Sequence, residues 1–320
     1  MAETGKDIIR AKSLLEAGKL VGIPTETVYG LAGNALNPDA VASIFETKKR
    51  PSFDPLIIHS DSMEKIKRWV LEIPEKLKIL ADEFWPGPLT LLLPREAIVP
   101  DLVTSGLDRV AVRIPSHPLT LELLKSLEFP LAAPSANPFG YISPTRPEHV
   151  QKQLGDQIPY ILDGGACKVG LESTIVGIED EQIFIYRLGG LDVREIEALV
   201  GPVQIKTHSS SNPAAPGLLE SHYAPTKPFI LGDLDQLIQD HQNKKVRMGI
   251  LSLQRTFSNL PIESQMILSE KGDLKEAAQN LFAAMRALDE QDLDLILAER
   301  MPDHGLGKAI NDRLNRAAAK

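Results

Sequence analysis

The sequence has a single cysteine, Cys167, and only 5% of its residues are aromatic. One thiol cannot form a disulfide within the chain, which is typical of proteins from a reducing compartment. No stretch approaches the ~18 consecutive apolar residues of a membrane-spanning helix, and residues 1–12 lack the apolar core of a secretory signal. We therefore expect a cytoplasmic protein without a membrane segment. Cys167 is expected to be a small buried residue, because no neighbouring base activates it.

The common nucleotide and metal fingerprints are also missing. The sequence contains no GxxxxGK[ST] phosphate loop, no GxGxxG after a strand, no HExxH and no paired CxxC. Residues 305–308 (GLGK) come nearest to a phosphate loop, but their spacing fits neither glycine-rich pattern. A nucleotide would therefore have to be bound by side-chain cations and by hydroxyl groups at strand ends. No metal site made of protein ligands is predicted.

Positive charge is in deficit, with 35 basic residues against 43 acidic ones and a formal net charge of −8. Neither half of the chain is basic. A broad nucleic-acid-binding surface normally carries an excess of lysine and arginine. At most a local contact with tRNA is compatible with this balance.

The length of 320 residues exceeds the usual size of a single hydrophobic core. The polar, proline-rich run after Lys206 has no periodicity and predicts an interdomain linker. We assign residues 1–207 to a first domain, 208–227 to a linker or lid, and 228–320 to a second domain. Strands and helices alternate in the second domain, which predicts a small α/β unit.

The stretch from Ile23 to His59 has the character of a ligand site. A short apolar run stops at Pro24 and is followed by the polar triplet 25–27 (TET), as at a strand end. A helix is predicted over 39–47, and the cations 48–50 crowd its end before a proline. A basic triplet at a helix end is usually just solvated. Its position between two strand ends makes an anionic ligand a reasonable alternative.

Polar turns recur at other predicted strand ends. Alternation in residues 109–114 places Arg109 and Arg113 on one face of a strand, either as a solvent-facing edge or as an anion site. Small polar groups follow in 134–137, at Ser143 and in 170–174. Each could be a simple turn former, but several in one domain favour a shared crevice.

Eight motifs in fixed order carry a resemblance that covers nearly the whole chain. They are PTETVYGLAGNAL, KKRP, DPLIIH, FWPGPLTLLL, RVAVRIP, APSANPFGYISPT, GLESTIV and HYAP. Together they resemble the YrdC-domain family in its two-domain form. The resemblance implies a twisted open mixed α/β sheet with a concave crevice, followed by a smaller Rossmann-like α/β domain.

The resemblance also implies an activity. Members of the family condense L-threonine, bicarbonate or CO2, and ATP into L-threonylcarbamoyladenylate and diphosphate. The product serves threonylcarbamoyl modification of the tRNA adenosine next to the anticodon, which downstream transfer proteins complete. No protein nucleophile is needed, since positioning and charge neutralisation carry such chemistry. Mg²⁺ is expected to accompany ATP.

Matched motif by motif, the resemblance assigns two groups of site residues. The L-threonine side would consist of Thr27, His59, Arg113 and Ser173. The ATP side would consist of Lys48, Arg50, Asp54, Arg109, Ser135, Asn137, Ser143 and Arg187, with Tyr223 of the linker reaching over. Lys48 and Arg50 would carry the catalytic role.

Three positions depart from the family pattern, and two other functions remain open. Lys49 stands where glycine is common, Asp54 where asparagine is common, and Arg109 where threonine is common. Asp54 and Arg109 could offset each other near the phosphates or pair directly. The alternative functions are a carbamoyl-adenylating enzyme and a non-catalytic module that binds double-stranded RNA or tRNA.

Overall fold

The computed structural model describes residues 1–206 and 222–319, which form two sheets and the helices that cover them. Residues 207–221, which include most of the expected linker 208–227, lie outside the described residues. The exact domain boundaries therefore stay a prediction. No described helix is long and apolar enough to cross a membrane.

Eleven of the described strands form the first sheet, in the order β1-β8-β2-β3-β7-β4-β6-β5-β9-β10-β11. Their bounds are β1 Glu3–Gly5, β2 Val21–Ile23, β3 Gly30–Asn34, β4 Ile57–His59, β5 Leu89–Pro94, β6 Arg109–Arg113, β7 Leu131–Ala132, β8 Tyr160–Leu162, β9 Thr174–Glu179, β10 Gln182–Arg187 and β11 Gln204–Ile205.

The helices of this part of the chain connect these strands. They are α1 Ile8–Glu16, α2 Pro38–Lys48, α3 Met63–Ile66, α4 Glu75–Phe84, α5 Asp101–Thr104, α6 Pro118–Lys125, α7 Pro147–Leu154 and α8 Val193–Val200. The sheet is mixed, since β4 runs parallel to β6 and antiparallel to β7. This confirms the predicted fold class of the first domain.

The second sheet has four parallel strands in the order β12-β15-β13-β14. The strands are β12 Phe229–Leu231, β13 Met248–Ser252, β14 Gln265–Ile267 and β15 Leu295–Ala298, and the helices are α9 Leu234–Gln242, α10 Leu274–Glu290 and α11 Gly307–Ala318. Parallel strands joined by helices are the predicted α/β arrangement.

Helix α2 shows how local sequence shapes the site. Asn37 caps its N-terminus, with the side-chain oxygen accepting from the amides of Asp39 and Ala40. At the other end Lys49 adopts a left-handed conformation with φ 53° and closes the helix. A glycine normally occupies such a position, because it pays no steric cost there. Helix α2 therefore ends in a strained turn that places the basic residues 48–50 beside the sheet.

Two local features differ from what the sequence favours. The apolar spacing of residues 62–70 predicts an amphipathic helix, but only the short helix α3 forms, after which Val70 forms an isolated bridge with Arg95. Strand β3 was not anticipated from its glycine-rich sequence, because glycine has low strand propensity. It forms because β2 and β7 pair with it on both sides, so tertiary pairing overrides the local preference.

The two domains share one continuous apolar cluster, to which both Ile142 of the first domain and Phe282 of α10 belong. Polar contacts cross the same interface. Arg286 of α10 is 2% exposed and donates from Nε to the Ser143 carbonyl at 3.2 Å, and Tyr141 donates to Asp289 at 2.7 Å. The second domain is thus docked directly behind the loop 141–143.

Candidate active site

The predicted strand-end residues converge on one cavity in the first domain. The cavity has a volume of about 50 Å³. Its lining residues are Thr25, Thr27, Val28, Gly30, Arg50, Pro55, Leu56, Ile57, His59, Arg113, Ala133, Pro134, Ser135, Glu172, Ser173, Arg187, His222 and Tyr223.

All four residues assigned to the threonine side lie in this lining. The parallel register of β4 and β6 pairs His59 with Arg113, so both side chains meet at the same end of the sheet. Arg113 is 4% exposed and donates to Thr27 Oγ1 at 2.9 Å, to Glu26 Oε1 at 2.5 Å and to the Gly87 carbonyl at 3.1 Å. Three fixed partners hold the guanidinium in place beside the cavity.

His59 is a neutral group in this setting. It is 2% exposed, and burial, together with the nearby Arg113 cation, lowers its pKa to about 3. The imidazole therefore carries no charge at neutral pH. It offers a hydrogen-bonding group rather than a third cation to a bound substrate.

Ser173 connects the two sides of the cavity. Its hydroxyl lies 2.7 Å from Thr90 Oγ1 and accepts from Arg187 Nη2 at 3.0 Å. Burial lowers the pKa of Arg187 to about 10, so the guanidinium remains charged at neutral pH. The backbone of Gly189 approaches this turn so closely that a Cβ atom there would lie 2.4 Å from the Glu172 carbonyl oxygen, which excludes a side chain.

Arg50 and Asp54 form a buried ion pair at the edge of the cavity. Arg50 Nη2 lies 2.9 Å from Asp54 Oδ2, with the two side chains 6% and 0% exposed. Arg50 also donates to the carbonyls of Asp54 at 3.0 Å and Pro55 at 2.8 Å. The carboxylate thus neutralises part of the charge that Arg50 presents to the cavity.

Lys48 is held by backbone carbonyls behind the cavity wall, and its catalytic assignment stays a prediction. Its ammonium group is buried, donates to the Asn137 carbonyl at 2.5 Å, and also donates to the Ser135 carbonyl. Burial lowers its pKa well below the ordinary value. Lys48 therefore clamps the loop that carries Ser135 into the cavity wall. Lys48 itself is not among the described residues that line the cavity.

Asn137, Ser143 and Asp54 also lie behind the wall rather than in it. The Asn137 side-chain amide donates to the carbonyls of Pro138 and Tyr141 at 2.8 and 2.9 Å. The Ser143 hydroxyl donates to Glu172 Oε1 at 2.5 Å. These residues stabilise the loops that carry the lining residues.

Arg109 does not join the site. It lies at the far end of β6 from Arg113, where Nη1 is 3.9 Å from Glu179 Oε1. The shared strand face was predicted correctly, but four residues of strand separate the two side chains by roughly 13 Å. Asp54 pairs with Arg50 and Arg109 with Glu179. Of the two alternatives left open for Asp54 and Arg109, direct pairing is therefore not the one that the structure shows.

Sequence reasoning missed several residues that the fold brings to the cavity. Glu172 and His222 line it, and Glu26 holds Arg113 from behind. Glu172 stands beside Ser173 in the GLEST motif and His222 beside Tyr223 in HYAP, so both adjacent motifs were available as signals. Glu26 is the central residue of the TET triplet. An acidic side chain is not expected in a site for anions, and its ion pair with Arg113 is visible only in the structure.

Tyr223 reaches the cavity as expected, although the preceding linker residues 207–221 lie outside the described residues. It is 1% exposed and adopts a left-handed backbone conformation with φ 63°. The neighbouring Ala224 amide donates to the Gly140 carbonyl at 2.9 Å. This contact fixes the end of the linker to the catalytic domain.

Cys167 is 3% exposed, and burial raises the pKa of its thiol to about 12. A thiol with that pKa forms little thiolate at neutral pH. Cys167 is thus a buried structural residue, as the sequence predicted.

Comparison with known proteins places both domains in one family. The family model described as Telomere recombination, which covers Sua5, YciO and YrdC, matches residues 13–189. The model described as Threonylcarbamoyl-AMP synthase, C-terminal domain, matches residues 191–319. The chain is 40% identical to the threonylcarbamoyl-AMP synthase of Bacillus subtilis over 97% of this chain and 92% of that protein.

Solved structures agree with this relationship. The structure of Pyrococcus abyssi Sua5 complexed with L-threonine matches with a TM-score of 0.92 and 38% identity, covering 99% of this chain and 97% of that one. Escherichia coli YciO matches with a TM-score of 0.52 and 19% identity, covering 59% of this chain and 96% of that one. The second match shows a common fold only.

Proposed function

Because this chain belongs to the two-domain threonylcarbamoyl-AMP synthase family, we propose that the cavity described above condenses L-threonine, bicarbonate or CO2, and ATP into L-threonylcarbamoyladenylate and diphosphate. The enzyme is a nucleotidyltransferase, and its product serves threonylcarbamoyl modification of tRNA. The observation that carries the proposal is the convergence of Thr27, His59, Arg113 and Ser173 in one cavity with Arg50, Ser135, Arg187 and Tyr223.

The threonine side combines a cation with small hydroxyl groups. Arg113 has three of its five N–H groups engaged by Glu26, Thr27 and Gly87, so two remain to meet a carboxylate. The hydroxyls of Thr27 and Ser173 match the polar groups of a small amino acid. Neutral His59 adds a hydrogen-bonding group without repelling a protonated amine.

The ATP side supplies charge neutralisation in a closed space. Arg50 and Arg187 are buried cations on the cavity wall, where low solvent exposure strengthens their interaction with phosphate oxygens. The threonine amine, once it has lost its extra proton, adds to the carbon of CO2 and releases a second proton to give the carbamate. A carbamate oxygen then attacks the α-phosphorus, and diphosphate leaves. Exclusion of water protects the unstable carbamate during this step.

The family chemistry implies Mg²⁺ bound with ATP. Within the residues that the structure describes, no group of three histidine, cysteine, aspartate or glutamate side chains could hold a metal ion. Mg²⁺ that binds together with a nucleotide is held mainly by phosphate oxygens and water, with at most one or two protein carboxylates. When bound, the ion would neutralise charge on the phosphates. Glu172 is the one carboxylate among the described lining residues, and both of its oxygens are engaged by Ser143 and Arg313, so phosphate oxygens and water would hold the ion.

The partners extend the proposal beyond the site. Bicarbonate is the expected carbon source, downstream proteins would transfer the threonylcarbamoyl group to tRNA, and the setting would be cytoplasmic. The absence of a membrane-crossing helix from the described residues is compatible with that setting. Direct contact with tRNA would be local, given the net charge of −8.

The direct test is a diphosphate-release assay with the full chain. The assay supplies ATP and Mg²⁺ with L-threonine and bicarbonate. L-threonine and bicarbonate are then omitted in turn. We expect diphosphate and L-threonylcarbamoyladenylate only when all components are present. Diphosphate release with carbamoyl phosphate in place of threonine and bicarbonate would instead indicate a carbamoyl-adenylating enzyme. RNA binding without turnover would indicate the non-catalytic module.

A further inference from the structure

Helix α11 of the C-terminal domain reaches into the wall of the catalytic cavity. Its residue Arg313 is 0% exposed. Arg313 Nε donates to Glu172 Oε2 at 3.0 Å, and Nη2 lies 3.0 Å from the same oxygen. Arg313 Nη1 donates to the Leu188 carbonyl at 2.6 Å. A side chain of one domain is thus buried against a cavity-lining carboxylate of the other.

The contact continues from Glu172 to the loop behind the cavity. The second carboxylate oxygen, Oε1, accepts from the Ser143 hydroxyl at 2.5 Å. The Glu172 carbonyl accepts from the Gly190 amide at 2.9 Å. A hydrogen-bonded chain therefore runs from Arg313 of α11 through Glu172 in the cavity wall to Ser143 in the loop behind it.

The same helix also encloses the tyrosine that ends the linker. The guanidinium carbons of Arg313 and Arg316 lie 5.3 and 5.9 Å from the Tyr223 ring centre, within the range of cation–π contacts. Phe282 of α10 stacks on the ring at 5.5 Å. The Arg316 carbonyl accepts from the His222 amide at 3.3 Å. Three side chains of the C-terminal domain therefore hold Tyr223 where it lines the cavity.

Electrostatics explains why Glu172 depends on this helix. The carboxylate is 6% exposed, and burial by itself raises its pKa. The Arg313 cation offsets this effect, with help from Arg187 and the Ser143 hydroxyl, so that the pKa falls below its ordinary value. Removal of one partner of a buried ion pair leaves the other charge uncompensated.

We propose that Arg313 is a positioning residue of the adenylate-forming site: it holds Glu172 in its ionised form against Ser143 and seats Tyr223 in the cavity, so that the C-terminal domain completes the active site. This inference rests on the proposed function. It gives the C-terminal domain a role in catalysis that a simple tether would not have.

A purely structural interface pair would make different predictions. It would affect folding stability and leave the kinetics of the folded enzyme and their pH dependence unchanged. If Arg313 acts through Glu172, its loss instead lets the buried carboxylate take up a proton at a higher pH. The activity that remains would then rise with pH as Glu172 ionises.

The test uses the full chain with Arg313→Met, Arg313→Lys and Glu172→Gln, and with Lys308→Met as a control. Lys308 is an exposed lysine on the same helix. Diphosphate release is measured from pH 6 to pH 9 at varied ATP, and thermal unfolding reports folding. Truncating one member of a buried charge pair typically costs enough free energy for a loss on the order of 30-fold or more in kcat/KM.

We expect Arg313→Met to lose kcat/KM on the order of 30-fold or more, with the remaining activity rising from pH 6 to pH 9. Arg313→Lys should keep part of the kcat/KM that Arg313→Met loses. Lys308→Met should match the unmodified enzyme. The double variant of Arg313→Met with Glu172→Gln should lose less than the product of the two single losses, because Arg313 acts in part through Glu172. The loss beyond that of Glu172→Gln alone reports the contact of Arg313 with Tyr223.

Two outcomes would overturn the inference: a folded Arg313→Met enzyme with the kinetics and pH profile of the unmodified enzyme, or fully additive losses in the double variant. If Arg313→Met does not fold, the kcat/KM values of Glu172→Gln and Arg313→Lys decide the matter: both folded enzymes should lose kcat/KM, Arg313→Lys the less, and a folded Glu172→Gln enzyme with unchanged kcat/KM would overturn the inference. An inactive unmodified enzyme would count against the proposed function itself.

Discussion

At the residue scale, the site is built from buried charges whose partners are fixed before any substrate arrives. Arg113 is held by Glu26, and Arg50 by Asp54. Each pair is almost fully removed from water, so each costs desolvation energy that its own attraction must offset. Such fixed cations can meet an anionic ligand without reorganising, which is how charge stabilisation contributes to catalysis.

Replacing Arg50 with alanine should nearly abolish adenylate formation. Loss of a desolvated charge contact costs roughly 2–5 kcal/mol, which corresponds to a rate loss on the order of 30-fold or more. The substitution also removes the ion-pair partner of Asp54. Asp54→Asn, alone and combined with Arg50→Ala, therefore serves as the control that separates the lost cation from the buried carboxylate.

Diphosphate release and thermal unfolding would be measured for all three Arg50 and Asp54 variants. A folded Arg50→Ala enzyme with near-normal ATP turnover would refute the catalytic assignment of Arg50. Loss of activity only where folding is also lost would assign the residue a structural role instead.

Replacing Arg113 with alanine should weaken threonine binding far more than ATP binding. Arginine suits recognition of a carboxylate through paired N–H groups, and Arg113 also orients the Thr27 hydroxyl at 2.9 Å. Calorimetric titration with each ligand would measure the two affinities. Because Glu26 would lose its ion-pair partner, Arg113→Ala combined with Glu26→Gln is the matched control. Unchanged threonine affinity would contradict the assignment.

His59 makes folding stability depend on pH in a defined direction. Its pKa is about 3 in the folded protein and about 6.5 in an unfolded chain. The unfolded state therefore binds more protons between these values, and folding stability falls as pH drops below about 6.5, by up to ~1.4 kcal/mol per pH unit. Urea unfolding at pH 7.5 and pH 5.5 would measure the loss.

The His59→Gln variant should lose less stability on acidification than the unmodified protein does. His304→Gln, at an exposed position, serves as the control and should leave the acid sensitivity unchanged. Equal acid sensitivity of His59→Gln and the unmodified protein would show that His59 does not remain neutral in the folded state.

At the element scale, the turn after α2 combines a functional position with backbone strain. Lys49 has φ 53°, a conformation that costs a residue with a side chain roughly 1–2 kcal/mol relative to the right-handed region. The family pattern has glycine at this position. The two neighbours of Lys49 are the clamp residue Lys48 and the cavity cation Arg50, so the strained turn separates their two roles.

The Lys49→Gly variant should raise the free energy of unfolding by about 1 kcal/mol or less, since the relief of strain is partly offset by the entropy of glycine in the unfolded chain. Chemical denaturation would measure this change. Lys49→Ala keeps a Cβ atom and is the control, for which no comparable gain is expected. A less stable Lys49→Gly protein would show that the lysine side chain itself stabilises the turn.

At the scale of the whole molecule, the second domain is part of the site rather than an appendage. The sequence predicts that residues 209–225 fold back over the cavity as a lid, and residues 209–221 lie outside the described residues. The described end does not stand alone, because Tyr223 is packed against Phe282, Arg313 and Arg316. The lid hypothesis for 209–225 therefore stays a prediction that now includes the C-terminal domain.

Removal of the residues after Pro228 should reduce adenylate formation nearly as much as removal after Lys206. Both truncations take away the side chains that hold Tyr223, and both leave Glu172 without Arg313. Diphosphate release would measure activity, and near-UV circular dichroism would report whether the remaining domain is folded. A folded 1–228 protein that keeps most of its activity would show that the linker end suffices without the second domain.

Much of the site was visible in the sequence because its residues stand at strand ends marked by proline, glycine and small polar side chains. Local signals of this kind depend only on neighbouring residues, and they marked the segments 25–27, 134–137 and 170–174 as candidate strand-end turns. The resemblance to the YrdC-domain family then assigned Thr27, Ser135, Ser173 and Arg187 to the site. The two-domain α/β architecture followed from alternating strand and helix patterns and from the proline-rich break after Lys206.

Tertiary structure alone decided which of those residues face the cavity. Lys48 and Arg109 carry the same charge as Arg50, yet one is buried against two carbonyls and the other lies at the far end of β6. A sequence pattern records residue type and strand face, but it does not record the distance along a strand or the partners supplied by distant segments. For the same reason Arg313, 141 residues from Glu172 in the chain, entered the site only through the docking of α11.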